Sequence, residues 1–258
     1  MVPAMRVIPI ACLSDNYAYL VVADGRKEAI VVDPSEAAPV VRVLESEGLT
    51  LVGILATHHH FDHVGGNDEL VAKFGAMPVY GSQYDLDEKR IPGQTISIND
   101  GSTFEIAGLS FQCLHVPGHT LGAIAYVTND AVFTGDTMFV AGCGRLFEGT
   151  PEMMAASLCD KIGRLPGNTR VYCGHEYTVS NLRFAAAAEP DNQDVQRKLE
   201  VAQEKRSRNE PTVPSTMADE LATNPFLRVD QPSLLKQYAG TNRGEVFGKV
   251  RAAKDVFR

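Results

Sequence analysis

The amino-acid sequence predicts a mixed α/β domain, with two sheets packed together and helices outside them, followed by a helical domain. Short apolar runs typical of strands recur up to about residue 176, and helical patterns separate groups of strands instead of following every strand. After that point the patterns are helical, interrupted by the linkers Pro211–Pro214 and Asn224-Pro225. We therefore predict two domains, residues 1–176 and residues 177–258.

Strands are predicted where short, mostly apolar runs are bounded by turn residues. These runs are Met5–Ala11, Tyr17–Val22, Ala29–Val32, 51–56, 77–80, 94–98, 103–106, 109–114, 123–127, 131–134 and 169–173. Asp24-Gly25, between the second and third runs, is a hairpin turn signal.

Helices are predicted from apolar residues with helical spacing. Val40, Val41 and Leu44 have this spacing, and Gly48 is placed to end the helix as its C-cap. The other predicted helices span 67–74, 152–163 with Pro151 at its first turn, 178–188, 192–208, 232–239 and 242–257.

Composition and net charge indicate a globular protein and argue against anionic macromolecules as general partners. The chain has 258 residues, 44% of them apolar and 22% charged, which is ordinary for a globular protein with a core. Its formal net charge of -8 favours neither nucleic acid nor an anionic membrane as a partner. An anionic ligand would therefore need a local basic patch.

Cysteine usage and the N-terminus indicate the compartment. The 5 cysteines are scattered and form no Cys-x-x-Cys pair, which argues against a disulfide framework and for a reducing environment. The N-terminus lacks the layout of a secretory signal, and no apolar run has membrane-spanning length. We expect a cytoplasmic protein.

A histidine-rich segment, Thr57-His58-His59-His60-Phe61-Asp62-His63, directly follows the strand-like run 51–56. Side chains alternate faces along an extended chain, so His58, His60 and Asp62 can converge, while His63 faces elsewhere unless the chain turns. Imidazole and carboxylate donors suit zinc, iron and manganese. The segment therefore predicts two nitrogens for one metal ion, and a carboxylate and a nitrogen for a second.

Three further candidate ligands, His115, Asp136 and His175, stand where predicted strands end. Binding groups often occupy such positions because a rigid sheet holds them in place. A carboxylate has two oxygens and can serve two ions. We predict a first metal held by His58, His60 and His115, a second held by Asp62, His63 and His175, and Asp136 bridging both.

Two cations would lower the pKa of bound water from 15.7 toward ~7 and stabilise negative charge on a substrate oxygen. The predicted reaction is hydrolysis by a hydroxide held between two metal ions. Asp62 and Asp136 are the predicted catalytic residues, with Asp62 orienting the hydroxide.

Three polar residues each keep two interpretations. His59 either supports the ligands or is a turn residue, and His119 either supports a ligand or makes a turn hydrogen bond. Asp33, in Asp33-Pro34, either orients the ligand loop or simply terminates a strand. The first interpretation has a physical basis, since metal-bound histidine usually donates its other N–H to a carboxylate or carbonyl.

These motifs resemble those of the metallo-β-lactamase superfamily, which implies an αββα sandwich with a dinuclear site at one edge. Four further segments resemble the glyoxalase II family of thioesterases, and the resemblance covers essentially the whole chain. They are the run Phe139–Thr150, Cys173-Gly174-His175-Glu176-Tyr177-Thr178, Asn224-Pro225-Phe226-Leu227-Arg228, and Arg251-Ala252-Ala253-Lys254-Asp255. The resemblance implies a C-terminal helical domain that binds substrate.

Carried over by position, the resemblance implies glutathione contacts from Arg145, Tyr177, Arg251 and Lys254. Cationic side chains match the two carboxylates of glutathione. Arg251 and Lys254 are three residues apart and hence neighbours on a helix surface. Where some relatives have Lys-x-Tyr, this chain has Arg145-Leu146-Phe147, so Phe147 keeps the substrate-binding position without a hydroxyl.

The implied function is hydrolysis of S-D-lactoylglutathione to D-lactate and glutathione, the second step of methylglyoxal detoxification. The implied cofactors are two divalent ions per chain, zinc first, with iron or manganese as alternatives. We expect a monomer. The rival functions are a one-iron persulfide dioxygenase, which would need only the first ligand set, and a non-enzymatic scaffold, for which a lost ligand would be the usual sign.

Overall fold

The computed structural model describes residues 4–257, so residues 1–3 and 258, at the ends of the predicted domains, lie outside the described residues. The chain divides into two compact units. The first takes the chain up to His115 together with Gly122–Gly135, and the second takes Val116–Leu121 together with the chain from Asp136 onward. This division lies elsewhere than the boundary that sequence character suggests near residue 176.

One layer of the first unit is a six-stranded mixed sheet. Its strands are β1 (Met5–Cys12), β2 (Asn16–Ala23), β3 (Glu28–Val32), β4 (Thr50–Leu55), β5 (Val79–Ser82) and β6 (Ile96–Ile98), in that order across the sheet. Strands β1 to β3 pair antiparallel, and β3 to β6 pair parallel. The predicted turn at Asp24-Gly25 joins β2 to β3, with Gly25 at a φ of 77°. The histidine-rich loop follows β4 directly.

Four more strands of the first unit form a second layer. They are β7 (Thr103–Ile106), β8 (Leu109–His115), β9 (Ile124–Thr128) and β10 (Ala131–Gly135), each antiparallel to the next. Aromatic rings join the two layers, since Tyr80 stacks on Phe104 at 4.2 Å and Tyr19 lies 5.6 Å from Phe133. The hydroxyl of Tyr126 donates to the carbonyl of Ala56 at 2.9 Å. The prediction of two packed sheets is confirmed.

Four helices belong to the first unit: α1 (Ala37–Glu47), α2 (Phe61–Val64), α3 (Asn67–Phe74) and α4 (Gln83–Asp87). Val40, Leu44 and Leu70, on α1 and α3, share a buried apolar cluster with residues of the mixed sheet. Burying such apolar faces is the main stabilising contribution of these helices. Gly48 ends α1 in the left-handed conformation at a φ of 62°, as its sequence position predicts.

The second unit is mainly helical. Its elements are β11 (Met138–Phe139), β12 (Gly142–Cys143), α5 (Pro151–Ala155), β13 (Arg170–Cys173), α6 (Thr178–Ala188), α7 (Gln193–Ser207), β14 (Ser215–Thr216), α8 (Met217–Thr223), α9 (Pro232–Gln237) and α10 (Arg243–Val256). The predicted helix 152–163 is α-helical only to Ala155 and continues as a π turn over Ala156–Lys161 and a 3₁₀ turn over Ile162–Arg164. Among residues 4–257, no helix has the length and apolar composition needed to cross a bilayer.

A buried polar network ties the C-terminal helices to the turn between β11 and β12. Glu220 is fully buried and accepts hydrogen bonds from Lys198 Nζ and from the backbone N–H of Ala141, both at 2.7 Å. Asn224 Nδ2 donates to the carbonyl of Gly142 at 3.0 Å. These contacts explain why the segment from Asp136 groups with the helices instead of with the sheet residues that precede it.

Candidate metal centre

The loop after β4 brings two predicted ligands of the first unit together. Nε2 of His58 and Nδ1 of His60 are 3.2 Å apart, and the His58 side chain is buried. Of the three side chains predicted to converge, these two lie side by side. Their nitrogens approach closely enough to share one cation, which is the arrangement that imidazole ligands of zinc, iron or manganese require.

The chain turns immediately after His60, and this turn redirects the last two ligands of the motif. Helix α2 carries Asp62 and His63, and Asp62 Oδ2 lies 3.7 Å from His63 Nε2. Asn16 Nδ2 donates to the same carboxylate oxygen at 3.0 Å. Asp62 and His63 thus form the carboxylate–imidazole pair that the sequence assigns to a second ion.

Asp33 orients the ligand loop. Its carboxylate accepts hydrogen bonds from the backbone N–H of Thr57 at 2.7 Å and from the Thr57 hydroxyl at 2.6 Å, and it lies 3.0 Å from His63 Nδ1. Because the Thr57 hydroxyl donates to Asp33, it can accept from His58 Nδ1, which is 3.0 Å away. Asp33 therefore turns Nε2 of both His58 and His63 away from itself, as metal-binding imidazoles require.

Backbone conformation keeps this support in place. Asp33 has a φ of 48°, a left-handed conformation that aspartate tolerates better than most residues. Gly135 also lies in this region, and a Cβ there would come within 2.2 Å of the Thr57 hydroxyl. Glycine at position 135 is thus required by close packing against the ligand loop.

The second unit places one carboxylate between two imidazoles. Asp136 Oδ2 lies 3.5 Å from His119 Nε2 and 3.3 Å from His175 Nε2, and all three side chains are buried. The carbonyl of Arg145 accepts from His119 Nδ1 at 2.8 Å, which leaves Nε2 as the ligand atom. This geometry is suited to a carboxylate that bridges two ions, each of which also has an imidazole ligand.

The structure favours His119 over His115 as a ligand. His115 ends β8, where its backbone N–H donates to Asp100 Oδ1 at 2.8 Å. His119 Nε2, by contrast, lies 3.5 Å from a carboxylate oxygen of Asp136. Both histidines lie in the segment His-Val-Pro-Gly-His. The sequence predicts the first as the ligand because that histidine stands at the end of a strand. The strand end is in fact followed by a turn that carries the second histidine to Asp136.

His175 follows β13 as predicted. Its imidazole stacks on the ring of Tyr177, with centroids 4.8 Å apart and an interplanar angle of 6°. Phe139 meets both rings edge-on, at 5.8 Å and 5.3 Å. The tyrosine predicted to bind substrate is therefore in direct contact with a predicted metal ligand.

Three of the predicted substrate-binding residues are available at the surface of the second unit. The side chain of Arg145 is 70% exposed, and Phe147 and Tyr177 are also exposed. The ring of Phe147 meets His119 edge-on at 5.2 Å, so Phe147 packs against a candidate ligand.

Arg251 and Lys254 do not form the exposed pair that helical spacing suggests. Arg251 is 7% exposed, and its guanidinium donates to the carbonyl of Cys143 at 2.7 Å and to Asp255 at 3.0 Å. Lys254 is partly buried, with Nζ 3.1 Å from the hydroxyl of Ser180. Burial, and then the charge of Arg251, lowers the pKa of Lys254. Arg251 is therefore part of the core under α10, because its side chain points inward from the helix.

Sequence reasoning missed two groups that contact the predicted ligands. Thr57 precedes His58 directly and relays the Asp33 contact, and its polar side chain at a strand end was a usable signal. Asn16 lies more than forty residues from Asp62 in the chain. No local pattern marks it, because the contact arises from pairing of distant segments.

Two protein-family models match this chain, one over each part of it. The model for the metallo-beta-lactamase superfamily matches residues 14–175, and the model for the hydroxyacylglutathione hydrolase C-terminus matches residues 176–257. A hydroxyacylglutathione hydrolase from Synechococcus sp. (strain JA-2-3B'a(2-13)) is 48% identical over 98% of this chain and 100% of its own length. The hydroxyacylglutathione hydrolase from Alkalilimnicola ehrlichii is also 48% identical, over 97% of this chain and 98% of its own.

Solved structures share the fold. The crystal structure of the BLEG-1 B3 metallo-beta-lactamase is 26% identical, with a TM-score of 0.62, and the match covers 87% of this chain and 99% of that one. TTHA1623 in a di-iron-bound form is 27% identical, with a TM-score of 0.60, and covers 86% of this chain and 100% of its own. ETHE1 from Myxococcus xanthus has a TM-score of 0.67 at 24% identity, over 96% of this chain and 89% of its own, which shows the fold alone.

Proposed function

Because this chain belongs to the hydroxyacylglutathione hydrolase family of the metallo-beta-lactamase superfamily, we propose that it hydrolyses S-D-lactoylglutathione to D-lactate and glutathione. This reaction is the second step of methylglyoxal detoxification. The full-length similarity supports hydrolysis over persulfide dioxygenation, since the family's own C-terminal model matches the helical region. The retained ligand residues argue against a scaffold without activity.

The proposed cofactors are two divalent ions, with zinc as the first choice and iron or manganese as alternatives that the same donors accept. The proposed ligands are His58, His60 and His119 for one ion, Asp62, His63 and His175 for the other, and Asp136 for both. When bound, such ions lower the pKa of water toward ~7 and polarise a carbonyl oxygen. The observation that carries this assignment is the position of Asp136 Oδ2, 3.5 Å and 3.3 Å from two buried imidazoles.

Asp62 is proposed to orient the attacking water. Asn16 Nδ2 donates to Oδ2 of the Asp62 carboxylate at 3.0 Å, which holds the carboxylate in the orientation that positioning a water requires. The side chain is 41% exposed, and water therefore reaches it. Asp136 and Asp62 remain the proposed catalytic pair.

Glutathione is proposed to bind through the second unit. Arg145 and Lys254 supply cations for its carboxylates, Tyr177 supplies a hydroxyl, and Phe147 supplies an apolar edge. Arg251 is proposed to act on the substrate through its neighbours, because its guanidinium holds Asp255, whose Oδ1 lies 4.0 Å from Arg145 Nε. The protein is further proposed to be a cytoplasmic monomer, which gel filtration and fractionation would test.

The decisive experiment is a hydrolysis assay with S-D-lactoylglutathione on protein reconstituted with zinc, iron or manganese, with metal content measured on the same samples. We expect about two ions per chain and loss of activity on chelation, with recovery when metal is restored. Glutathione-thioester hydrolysis that is absent with every metal would overturn the proposal. A content of about one iron, with oxygen consumption on a glutathione persulfide, would favour the dioxygenase instead.

A further inference from the structure

His59 stands between two proposed ligands, yet its ring contacts a separate cluster in the first unit. Its Nδ1 lies 3.2 Å from Asp85 Oδ1, and its Nε2 accepts from Arg90 Nη2. Arg90 Nε lies 3.7 Å from the same Asp85 oxygen. The ring therefore lies between a guanidinium and a carboxylate that have no part in the proposed metal ligation.

The carboxylate of Asp85 is buried and has specific polar partners. Its side chain is 0% exposed, and its other oxygen accepts from the Ser82 hydroxyl at 2.9 Å. Burying a carboxylate is costly unless opposite charge and hydrogen bonds compensate, and Arg90 and Ser82 supply them here. A Cβ at Gly122 would lie 2.3 Å from Asp85 Oδ2, so that position has room for glycine alone.

The contacts also fix the tautomer of His59. A guanidinium can only donate, so Nε2 of His59 must accept, and the proton of the neutral ring is then on Nδ1. Nδ1 is the nitrogen that faces Asp85. Rotating the ring by half a turn would put Cδ2 in place of Nδ1 and Cε1 in place of Nε2, so both polar contacts would be lost. The cluster therefore specifies a single ring orientation.

We infer that Asp85, together with Arg90, is a positioning residue that holds His59 and thereby fixes the backbone carrying His58 and His60. This inference rests on the proposed metal centre. The rings of His58 and His60 lie on either side of His59, with centroids 6.4 Å and 4.8 Å from its own. Holding the middle residue of three limits the torsions through which its neighbours could diverge, and ligand affinity depends on such preorganisation.

Asp85 also has a local structural role, which the test must separate from positioning. Ser82 is the N-cap of α4 and accepts from the backbone N–H of Asp85 at 3.0 Å. Loss of the carboxylate could therefore loosen α4 alone. A helix-capping role would change the melting temperature, whereas a positioning role also changes metal affinity and does so only while His59 is present.

The test compares Asp85→Asn with Asp87→Asn, a control on the same helix at an exposed position. Zinc affinity is measured on the full chain by competition with a chromophoric chelator, and the melting temperature is measured on the metal-free protein. We expect Asp85→Asn to weaken binding of the more weakly held zinc about tenfold, with the control unchanged. In a His59→Leu background, Asp85→Asn should have no further effect on affinity.

Parental zinc affinity in Asp85→Asn, or an equal loss of affinity with and without His59, would overturn the inference. If Asp85→Asn does not fold, Arg90→Gln replaces it, because the Arg90 side chain is 22% exposed and its removal leaves α4 capped. Thioester hydrolysis by the parent is assayed in parallel. A parent that binds two zinc ions but leaves the thioester intact would overturn the proposed function and not this inference, whereas a parent that binds neither zinc, iron nor manganese would overturn both.

Discussion

Asp33 Oδ2 lies 3.0 Å from His63 Nδ1, and both side chains are almost fully buried. The same oxygen accepts from the Thr57 hydroxyl, which contacts His58 Nδ1. One carboxylate thus sets the orientation of one imidazole directly and of another through a hydroxyl relay. Support of this kind tunes a site through groups that do not bind the metal themselves.

We predict that Asp33→Asn weakens metal binding by about 10–100-fold. Asparagine tolerates the φ of 48° at this position, so the backbone is retained while the second acceptor oxygen and the charge are lost. Metal content after dialysis against a defined chelator measures the effect. Asp24→Asn, at an exposed turn, is the matched control. Retention of both metals at parental affinity would show that Asp33 only terminates β3.

The two histidines of His-Val-Pro-Gly-His provide a second prediction. His119→Ala should lose metal and activity, because His119 Nε2 faces Asp136 at 3.5 Å and its Nδ1 is fixed by the Arg145 carbonyl. His115→Ala should have the smaller effect on both, because the hydrogen bond to Asp100 comes from the backbone N–H and survives the change. Elemental analysis and hydrolysis rates distinguish them. The opposite ranking would restore His115 to the ligand set.

The proposed bridging role of Asp136 gives a third prediction. Asp136→Ala should remove more metal than His175→Ala, because the carboxylate contacts two imidazole positions and His175 serves one ion. We expect Asp136→Ala to fall well below one ion per chain and His175→Ala to keep about one. Both should lose hydrolytic activity. If Asp136→Ala retained two ions by elemental analysis, the carboxylate would not be a bridge.

The sequence predicted the layers of the fold because periodicity and strand ends are local signals. The runs 103–106 and 178–188 match β7 and α6 to the residue. Local signals do not predict the path of a loop after a strand ends. The strand end therefore predicts His115 as the ligand, whereas the turn that follows brings His119 to Asp136. The support of the ligand loop by Asp33, which the sequence left undecided, depends on contacts between segments more than twenty residues apart.

Helix α10 shows a second feature that sequence patterns do not predict. Helical spacing correctly predicts that Arg251 and Lys254 are neighbours on the helix, but it does not predict which face of the helix is buried. Val246, Phe247 and Val250 are buried and place Arg251 on the inner side as well. A long cation with an apolar stem can occupy such a position when a carbonyl and a carboxylate receive its donors.

The lowered pKa of Lys254 leads to a pH prediction. Burial and the charge of Arg251 both disfavour its charged form, so the ammonium loses its proton at a lower pH than an ordinary lysine would. Affinity for an S-alkyl glutathione should therefore fall as pH rises toward 10. In Lys254→Arg that loss should be smaller, because arginine stays charged throughout. Titration calorimetry compares the two proteins, and the ligand's own ionisation cancels between them. Parallel affinity curves would remove Lys254 from the binding site.

The last prediction separates Lys254 from Arg251. Lys254→Ala should raise KM for the glutathione thioester about tenfold, since a charge-assisted contact contributes roughly 0.5–2 kcal/mol and 1.4 kcal/mol is tenfold. The contact is made with substrate and transition state alike, so kcat should change much less than kcat/KM. Metal content should stay at the parental value. Lys236→Ala, which removes an exposed cation from α9, is the charge-matched control.

Arg251→Ala should behave differently because its guanidinium is buried and holds the Cys143 carbonyl at 2.7 Å. Leaving that carbonyl without its donor costs on the order of 1–3 kcal/mol, which corresponds to a melting temperature lower by about 2–12 °C for a chain of this size. Its effect on KM should accompany this loss of stability, whereas Lys254→Ala should raise KM at parental stability. A thioester without the glutathione carboxylates should be hydrolysed equally by Lys254→Ala and the parent. Parental KM for the glutathione thioester in Lys254→Ala would return that residue to an ordinary helix surface, held by Ser180 and unconnected with substrate.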